Sequence, residues 1–329
     1  MSGNKNLSRA KNDKNDEFYT RLEDIENELY RYEKHFKDKI VFLNCDDPVE
    51  SMFWFYFHKK FASLGLKKLI STHYNEGKRS FKLEYTGGND DDIYSGVKTD
   101  LEGDGDFRSE ECVELLKESD MVVTNPPFSC ARSFIAQLME YEKKFLFICN
   151  QNALTYKEVF PLFKEGKMWI GYNKPKEFYV PEDTKERKNI VRNSEGRLVA
   201  QFGNILWFTN LDIPKRHQPL DLVFFYEDEP GKYPKYDNYD AIEVSRVVDI
   251  PADYDGVMGV PITFLDKHCP EQFEIIGSDY QVRSGEVKEI VKGGWDGKID
   301  RGYINGKRMY SRVLIKNKNP KIKKEMLGL

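Results

Sequence analysis

The residues most able to do chemistry lie in one short stretch, where an apolar run ends in Asn-Pro-Pro-Phe at residues 125–128. The apolar residues 121–123 predict a short buried strand. Two consecutive prolines allow neither strand pairing nor continuation into a helix. We therefore expect Asn125 on a rigid turn at the carboxyl end of a strand, the edge where open α/β sheets place their ligands.

The chemistry that this turn suits is methylation of an exocyclic amine, a poor nucleophile because its lone pair is delocalised into the ring. The side-chain oxygen of Asn125 and the carbonyl of Pro126 could accept the two amine hydrogens and direct the lone pair toward a methyl donor. Phe128 could give the base a flat face. The alternative is a proline turn that closes a strand, with Phe128 in the core. The complete pattern Val-Val-Thr-Asn-Pro-Pro-Phe favours the functional interpretation.

Polar residues also follow two other predicted strands. Residues 39–44 predict a strong strand that ends in Cys-Asp-Asp-Pro, where Asp46 and Asp47 suit a polar ligand or, alternatively, a simple helix N-cap. Residues 66–74 predict a second strand. The sequence Gly-Asp-Gly-Asp-Phe at 103–107 then approaches a predicted helix with Ser109 as its N-cap.

The elements that must position these residues alternate as strand and helix up to about Phe163, which predicts an α/β fold with a parallel, doubly wound sheet. An aromatic helix is predicted at 49–64, a loop at 86–99 and a further helix at 156–163. Strands at 168–172 and 205–209 are separated by a long polar loop at 173–203 without a helix, so we expect them to form an antiparallel pair at one edge.

The composition allows two domains and argues against several classes of protein. The 329 residues are 40% hydrophobic, which is enough for a large core. No apolar run approaches membrane-spanning length, and the N-terminus lacks the hydrophobic region of a signal peptide. Five scattered cysteines without a Cys-x-x-Cys pair, and five histidines without metal-like spacing, predict a reducing cytoplasm and no metal site.

Positive charge is concentrated at the two ends of a chain whose net charge is −4. Residues 281–329 carry 13 Lys/Arg and 5 Asp/Glu, and residues 1–14 carry four basic residues and one acid. Such ends can grip a polyanion, or they can be solvated tails without a partner. We expect a flexible basic arm at 1–15, a catalytic domain at 16–226, a linker at 227–240 and a smaller irregular domain at 241–329.

Together these motifs resemble the EcoRI-type adenine-specific DNA methyltransferases over nearly the whole chain. The stretches that carry the resemblance are Asp-Glu-Phe-Tyr-Thr at 16–20, Asp-Ile-Glu-Asn-Glu-Leu at 24–29, Asn-Cys-Asp-Asp-Pro at 44–48, residues 66–71, Gly-Asp-Gly-Asp-Phe at 103–107 and Thr-Asn-Pro-Pro-Phe at 124–128. The resemblance implies a Rossmann-like S-adenosylmethionine-dependent methyltransferase sheet with an antiparallel edge pair, and a smaller mixed C-terminal target-recognition domain. It also implies transfer of a methyl group to N6 of a flipped adenine in double-stranded DNA.

The resemblance also assigns roles to residues. The catalytic residues, which would hold and stack the flipped adenine, are Asn125, Pro126 and Phe128. The cofactor-binding residues would be Phe18 and Tyr19 at the methionine end, Asp46 near the amino group, and Asp106 with Phe107 at the adenine. Such enzymes pair with a restriction endonuclease in some genomes and stand alone in others, and we expect a monomer that needs no metal.

Two departures from the usual methyltransferase pattern concern the cofactor. Residues 47–50, Asp-Pro-Val-Glu, replace the Gly-rich loop that most methyltransferases carry after the first strand. The acid expected at the end of the second strand is missing, because Thr72-His73-Tyr74 stand there. The sequence therefore assigns no residue to the cofactor ribose.

The basic C-terminal segment predicts the DNA contacts. Its cations lie among glycines and aromatic residues, a mixture that suits loops reaching phosphates and base edges. The residues that we expect to contact DNA are Arg301, Lys307, Arg308 and Arg312. The alternative is that residues 309–315 form a closing strand and that the lysines beyond it are a solvated tail.

Other functions remain open at this stage. The same turn could methylate cytosine N4, RNA or the side-chain amide of a protein glutamine, and the chain could be a catalytically silent DNA-binding module. The basic tail favours nucleic acid over a protein substrate, and the intact residues 125–128 argue against a silent module. The recognition sequence does not follow from one basic domain.

Overall fold

A computed structural model of the protein describes residues 18–321, so the predicted arm at 1–15 lies outside the described residues. The α-helices in this range are α1 (Leu22–Leu29), α2 (Met52–Lys59), α3 (Phe61–Leu64), α4 (Glu110–Glu118), α5 (Ala131–Glu140), α6 (Phe160–Lys164) and α7 (Asp279–Ser284). The 3-10 helices are Tyr30–His35, Phe128–Cys130, Gln151–Thr155, Pro214–His217, Pro230–Lys232, Val247–Asp249, Ile262–Lys267 and Lys288–Ile290.

The strands form four sheets. In chain order they are β1 (Tyr19–Thr20), β2 (Ile40–Leu43), β3 (Lys68–Thr72), β4 (Phe81–Tyr85), β5 (Val97–Asp100), β6 (Met121–Thr124), β7 (Lys144–Asn150), β8 (Trp169–Ile170), β9 (Glu177–Tyr179), β10 (Ile190–Arg192), β11 (Leu198–Gln201), β12 (Ile205–Thr209), β13 (Ala241–Glu243), β14 (Val257–Val260), β15 (Phe273–Ser278), β16 (Tyr303–Ile304), β17 (Lys307–Arg308) and β18 (Val313–Asn317).

The largest sheet has eight strands in the order β5-β4-β3-β2-β6-β7-β12-β8. Its four central strands β3, β2, β6 and β7 are parallel to one another, as the continuous apolar runs predict. The flanking strands β4, β5 and β12 are antiparallel to the strands that they join, so the sheet is mixed and not wholly parallel. Strands β12 and β8 lie together at one edge, where the edge pair was expected.

The point at which the strand order reverses lies between β2 and β6. The chain passes from β2 to β3 on one side and later returns to β6 on the other side. In such sheets the connections diverge at this point and leave a crevice at the carboxyl ends of the strands. Asp46 follows β2 and Asn125 follows β6, so the fold brings the two predicted site segments together.

Two segments predicted as loops contain strands. Residues 86–99 include part of β5, whose four residues are all exposed, so no apolar alternation marks it in the sequence. Residues 173–203 contain β9, β10 and β11, which join β1 in a four-stranded sheet of order β1-β9-β11-β10. These strands have only three or four residues each, and the apolar side chains Val180, Ile190, Leu198 and Ala200 form a small core of their own.

The helices follow local signals, with two corrections. Ser109 caps α4 as predicted by accepting a hydrogen bond from the amide of Cys112, at 3.3 Å. The single helix predicted at 49–64 is two helices, because the chain breaks at Lys60 between α2 and α3. The helix predicted at 156–163 is instead a 3-10 turn, Gln151–Thr155, followed by the short α6.

The chain divides into two compact units. One contains the chain up to Val159 together with Ile170–Leu211, and the other contains Phe160–Trp169 and the chain from Asp212 onward. The second unit is built on a sheet of order β13-β14-β18-β15 with the separate pair β16-β17. The segment 227–240, which composition predicts as a linker, lies within this unit, where Tyr236 and Tyr239 belong to the hydrophobic core.

Within residues 18–321, no helix is both long enough and apolar enough to cross a membrane. The same described range contains no cluster of three or more His, Cys, Asp or Glu side chains arranged to hold a metal ion.

Candidate active site

The Asn-Pro-Pro-Phe turn begins directly where β6 ends, as the sequence predicts. All four residues of β6 are buried, and after the two prolines the chain enters the 3-10 helix Phe128–Cys130 and then α5. Pro126 is buried, whereas Asn125 and Phe128 are partly exposed. The turn therefore presents one amide and one aromatic ring at the carboxyl edge of the large sheet.

The side-chain amide of Asn125 is held on one side only. Its Nδ2 donates a hydrogen bond of 2.5 Å to the main-chain carbonyl of Phe18. Its Oδ1 is buried and has no hydrogen-bond partner among the described residues. A buried acceptor without a donor is uncommon in folded proteins and costs about 1–3 kcal/mol. This oxygen is therefore suited to accept a hydrogen from a ligand.

The carboxylate of Asp46 lies beneath the turn and bonds to it. Its Oδ2 accepts hydrogen bonds from the hydroxyl of Thr124 and from the amide of Asn125, the latter at 3.2 Å. Its Oδ1 accepts from the hydroxyl of Ser51, at 2.9 Å. Burial raises the pKa of Asp46 to about 6, although these hydrogen bonds favour the ionised form. The carboxylate thus joins the ends of β2 and β6 to the start of α2.

Four phenylalanine rings pack together beside Asn125. Phe18 and Phe128 are stacked, with ring centroids 5.8 Å apart and planes at 22°. Phe178 and Phe202 meet the Phe128 ring edge-on, at 6.4 Å and 6.0 Å. Phe128 is thus packed on one side and partly exposed. Its environment is intermediate between the two roles that the sequence allows, a stacking platform for the base and a core residue. Phe178 lies in β9 and Phe202 directly follows β11. The sequence did not identify them because residues 173–203 were predicted to be a loop.

The predicted cofactor residues Phe18 and Tyr19 lie in and before β1. Next to them, Thr20 has a buried hydroxyl without a hydrogen-bond partner in the described range. Asn44, directly after β2, is 2% exposed, and neither polar atom of its side chain has a partner within residues 18–321. Sequence reasoning missed Thr20 and Asn44 as candidates, although both belong to the stretches that carry the family resemblance.

The predicted cofactor residues Asp106 and Phe107 lie in a loop against the end of β3. Gly105 has a φ of +80°, and a Cβ there would lie 2.0 Å from the carbonyl oxygen of His73, so this close approach requires glycine. Arg108 binds the carboxylate of Asp106 with two side-chain hydrogen bonds, and this holds the pKa of Asp106 below its usual range. Phe107 is buried against Phe134, at 5.6 Å.

His73 occupies the position at the end of β3 where an acid was expected. Its Nε2 lies 3.4 Å from a carboxylate oxygen of Asp47, and its Nδ1 lies 2.7 Å from the hydroxyl of Ser80. Its ring is stacked on Phe81, with centroids 5.0 Å apart. The imidazole thus connects the loop after β2 to β4, as expected of a polar residue at a strand end.

A cavity of ≈ 580 Å³ lies in the first unit near the four-stranded sheet β1-β9-β11-β10. Its lining residues are Arg21, Leu22, Glu23, Met52, Glu177, Tyr179, Arg192, Asn193, Ser194, Glu195, Arg197 and Gln201. Glu177 and Tyr179 alternate along β9 with Phe178, which packs with Phe128. The cavity is therefore on the opposite face of this sheet from the phenylalanine cluster, and its three arginines and three glutamates balance in charge.

The cations predicted to contact DNA have different environments in the second unit. Lys307 and Arg308 form the exposed strand β17, which pairs with β16 through a turn with Asn305 at φ 50° and Gly306 at φ 72°. Arg308 also bonds to Asp300, at 2.7 Å, and the guanidinium of Arg301 donates to the carbonyl of Asp300. The hairpin thus holds two cations at the surface.

Arg312 is placed differently from the other three cations. Its side chain is 11% exposed and forms an ion pair with Glu243, which is 2% exposed. Tyr236 donates a hydrogen bond to the same carboxylate. The guanidinium therefore neutralises a buried acid, and this environment argues against a contact with DNA.

Comparison with known proteins gives matches over almost the whole chain. The family model described as the adenine-specific methyltransferase EcoRI matches residues 6–318. The Type II methyltransferase M.EcoRI of Escherichia coli is 48% identical, covering 96% of this chain and 97% of the relative. M.MpnI of Mycoplasma pneumoniae is 40% identical (95% and 98% covered), and M.MgeORF184P of Mycoplasma genitalium is 39% identical (94% and 98% covered). No solved structure matches significantly.

These matches confirm the resemblance drawn from the motifs. The chain belongs to the EcoRI family of adenine-specific methyltransferases.

Proposed function

We propose that this adenine-specific DNA methyltransferase uses S-adenosylmethionine to methylate N6 of an adenine flipped out of double-stranded DNA, at the turn formed by residues 125–128. The observation that carries the proposal is the side chain of Asn125. Its Nδ2 is fixed by the carbonyl of Phe18, and its Oδ1 is a buried acceptor without a partner in the described range. An exocyclic amine is a donor that such an oxygen can bind.

The proposed mechanism uses two acceptors and one aromatic face. The Oδ1 of Asn125 and the carbonyl of Pro126 would accept the two hydrogens of the adenine amine, which keeps its lone pair directed at the methyl donor. The N–CH₃ bond would form as the C–S bond of the donor breaks, and the nitrogen would then release a proton. Phe128 would stack on the base, because it is partly exposed while Phe18 supports it from one side.

Residues near β1 and β2 would hold the cofactor. When bound, S-adenosylmethionine supplies an electrophilic methyl group on a positively charged sulfur. The buried, unpartnered side-chain atoms of Thr20 and Asn44 fit a ligand with amino, carboxylate and hydroxyl groups, since they lack partners among residues 18–321. Phe18 and Tyr19 would line the methionine end.

The adenine end of the cofactor is proposed to lie at the loop that contains Asp106 and Phe107. Gly105 holds this loop against the end of β3, one strand away from β2. Asp106 could accept a bond from the adenine amine at a lone pair that Arg108 does not use. Phe107 is largely buried, so its proposed contribution is to position Asp106 more than to stack on the cofactor.

We also infer that the eight-stranded sheet is the Rossmann-like sheet of the methyltransferase and that the second unit recognises DNA. The reversal of strand order at β2 and β6, next to Asp46 and Asn125, supports the first inference. The exposed hairpin β16–β17 supports the second, with Arg301, Lys307 and Arg308 as contacts to phosphates or bases. Arg312 is left out because its side chain, 11% exposed, is paired with the buried Glu243.

The test is to identify the modified nucleoside. Double-stranded DNA is incubated with the protein and S-adenosylmethionine, digested to nucleosides and analysed by mass spectrometry. We expect N6-methyl-2′-deoxyadenosine from the wild type and none from Asn125→Ala. Methyl transfer to cytosine N4, or transfer to RNA or a protein amide without transfer to DNA, would contradict the proposal.

A further inference from the structure

We propose that Asp46, together with Thr124 and Ser51, positions the Asn-Pro-Pro-Phe turn for methyl transfer, and that it does not bind the amino group of the cofactor. The inference rests on the proposed function, because it assigns Asn125 to the chemistry. It differs from the role that the family resemblance gives to Asp46, and it adds two residues to the site.

The bonds of the Asp46 carboxylate are directed into the protein. Three donors bind its two oxygens: the hydroxyl of Thr124, the amide of Asn125 and the hydroxyl of Ser51. The residue is 7% exposed. A carboxylate offers about four acceptor positions, so most of its capacity is used before any ligand binds. An ammonium group would have to compete with these bonds in a crowded site.

The partners of Asp46 come from two neighbouring strands and from α2. Thr124 ends β6, and Ser51 is the N-cap residue of α2, where its hydroxyl also accepts from the amide of Phe53 at 3.1 Å. Ser71 of β3 donates to the main-chain carbonyl of Asp46. One residue thus fixes the relative positions of three parallel strands and a helix.

This arrangement determines where the reactive amide lies. Asp46 binds the backbone amide of Asn125, and Phe18 binds the side-chain Nδ2 of Asn125, so the residue is held at both ends. The position of Oδ1 is then fixed before the substrate arrives. Misplacement of a reacting group by about 1 Å can cost roughly 100-fold in rate. Loss of the Asp46 bonds should therefore affect the chemical step more than cofactor binding.

The test compares Thr124→Val with Thr124→Ser. Valine keeps the shape of threonine but cannot donate to Asp46, whereas serine keeps the hydroxyl. We expect Thr124→Val to lower the single-turnover rate of methylation by roughly 10- to 100-fold, with the Kd for S-adenosylmethionine, measured by calorimetry, changed less than about twofold. Thr124→Ser should retain most of the rate. Asp46→Asn should resemble Thr124→Val in both measurements.

The matched control is Thr209→Val. Thr209 is also a buried threonine at the end of a strand of the large sheet, and its hydroxyl donates to the carbonyl of Phe145, at 2.7 Å. Its replacement should lower the melting temperature like Thr124→Val but leave the methylation rate of the folded protein unchanged. This comparison separates a general loss of stability from misplacement of Asn125.

Two results would overturn the inference. One is that Asp46→Asn loses cofactor affinity while Thr124→Val keeps its rate, which would make Asp46 a cofactor ligand. The other is that Thr124→Val and Thr209→Val behave alike in rate and stability. The measurement of cofactor affinity needs no DNA, and the product of the wild type identifies the reaction, so failure of the proposed function would be recognised separately.

Discussion

The side-chain amide of Asn125 donates a hydrogen bond to the main-chain carbonyl of Phe18, 107 residues earlier in the chain. This bond fixes which end of the amide carries the oxygen and leaves Oδ1 as a buried acceptor without a partner in the described residues. The stacking of Phe18 on Phe128 reinforces the same contact. The N-terminal segment that is predicted to bind the cofactor therefore also orients the residue that is predicted to bind the substrate.

Cofactor binding and chemistry should separate between Asn125 and Asp106. We expect Asn125→Ala to keep its affinity for S-adenosylmethionine and to lose turnover, since Asn125 would touch the acceptor amine. Asp106→Ala should weaken cofactor binding first. Calorimetry with both variants decides the matter, and equal loss of cofactor affinity in the two would refute this division of roles.

Phe128 should act as a stacking platform for the flipped base. An aromatic face contributes roughly 1–3 kcal/mol per stacked base, so Phe128→Leu should slow methylation strongly, and Phe128→Trp should retain part of the rate. With 2-aminopurine at the target position, the wild type should brighten on binding as the base leaves the helix.

The control for Phe128 is Phe178→Leu. Phe178 is fully buried in the same cluster and meets the Phe128 ring edge-on, so it shares the packing without the partial exposure. Both leucine variants should lose some thermal stability. If the two variants lose the same small fraction of their methylation rate, Phe128 is a core residue and not a platform.

The parts of the fold and of the site that can be predicted from the sequence are those determined by residues close together in the chain. The strands β2 and β6 are apolar runs, the cap at Ser109 depends on a bond three residues away, and Asn305 and Gly306 are residue types that readily adopt the positive φ of their turn. Such signals need no knowledge of the fold. The Asn-Pro-Pro-Phe turn belongs to the same class.

The features that were missed depend on distant partners. Strands β9 and β11 are short, and the pairing of β9 with β1 joins segments more than 150 residues apart in sequence. The bond between Thr124 and Asp46 spans 78 residues, and the bonds of Arg312 to Glu243 span 69. A charge count identifies Arg312 as a cation but gives no information on the acid that it binds.

The rate of methylation should fall below about pH 6 because of Asp46. The pKa of this carboxyl is raised to about 6 by burial, and its ionised form accepts the bonds from Thr124 and Asn125. The nearest titratable groups are Asp47 and Cys45, and burial raises the pKa of the Cys45 thiol so that it stays protonated. Single-turnover rates measured from pH 5 to 8 should follow the ionised fraction, and Asp46→Asn should lose this dependence.

Stability should respond to Asp46 in the opposite direction. A carboxyl whose pKa is higher in the folded protein than in the unfolded chain, here about 6 against 3.8, binds a proton on folding. Its contribution to the free energy of unfolding is greatest below the unfolded pKa and is lost as the pH rises through 6. A rate that falls toward pH 5 only in parallel with unfolding would contradict the assignment, as would an unchanged profile in Asp46→Asn.

Lys307 and Arg308 should account for part of the salt dependence of DNA binding. Each lost phosphate contact reduces the slope of log K against log salt concentration by about one. Replacing both residues with glutamine should flatten the slope and weaken binding to specific and nonspecific DNA alike, with cofactor affinity unchanged. The control is replacement of Lys316 and Lys318, two exposed cations in and after β18, by glutamine. Equal effects of the two pairs would mean that the hairpin has no special role.

Arg312 should stabilise the second unit and should not contribute a DNA contact of its own. Its guanidinium binds the buried carboxylate of Glu243, including a bond of 2.9 Å to Oε1, and Tyr236 donates to the same group. Arg312→Ala would leave that charge unpaired, which typically costs about 3–5 kcal/mol. The double variant with Glu243→Gln should recover part of this loss, because no buried charge then remains. Denaturant unfolding measures both changes. If the folded double variant keeps the wild-type slope of log K against log salt concentration, the role of Arg312 is structural. If that slope falls by about one, Arg312 contacts DNA.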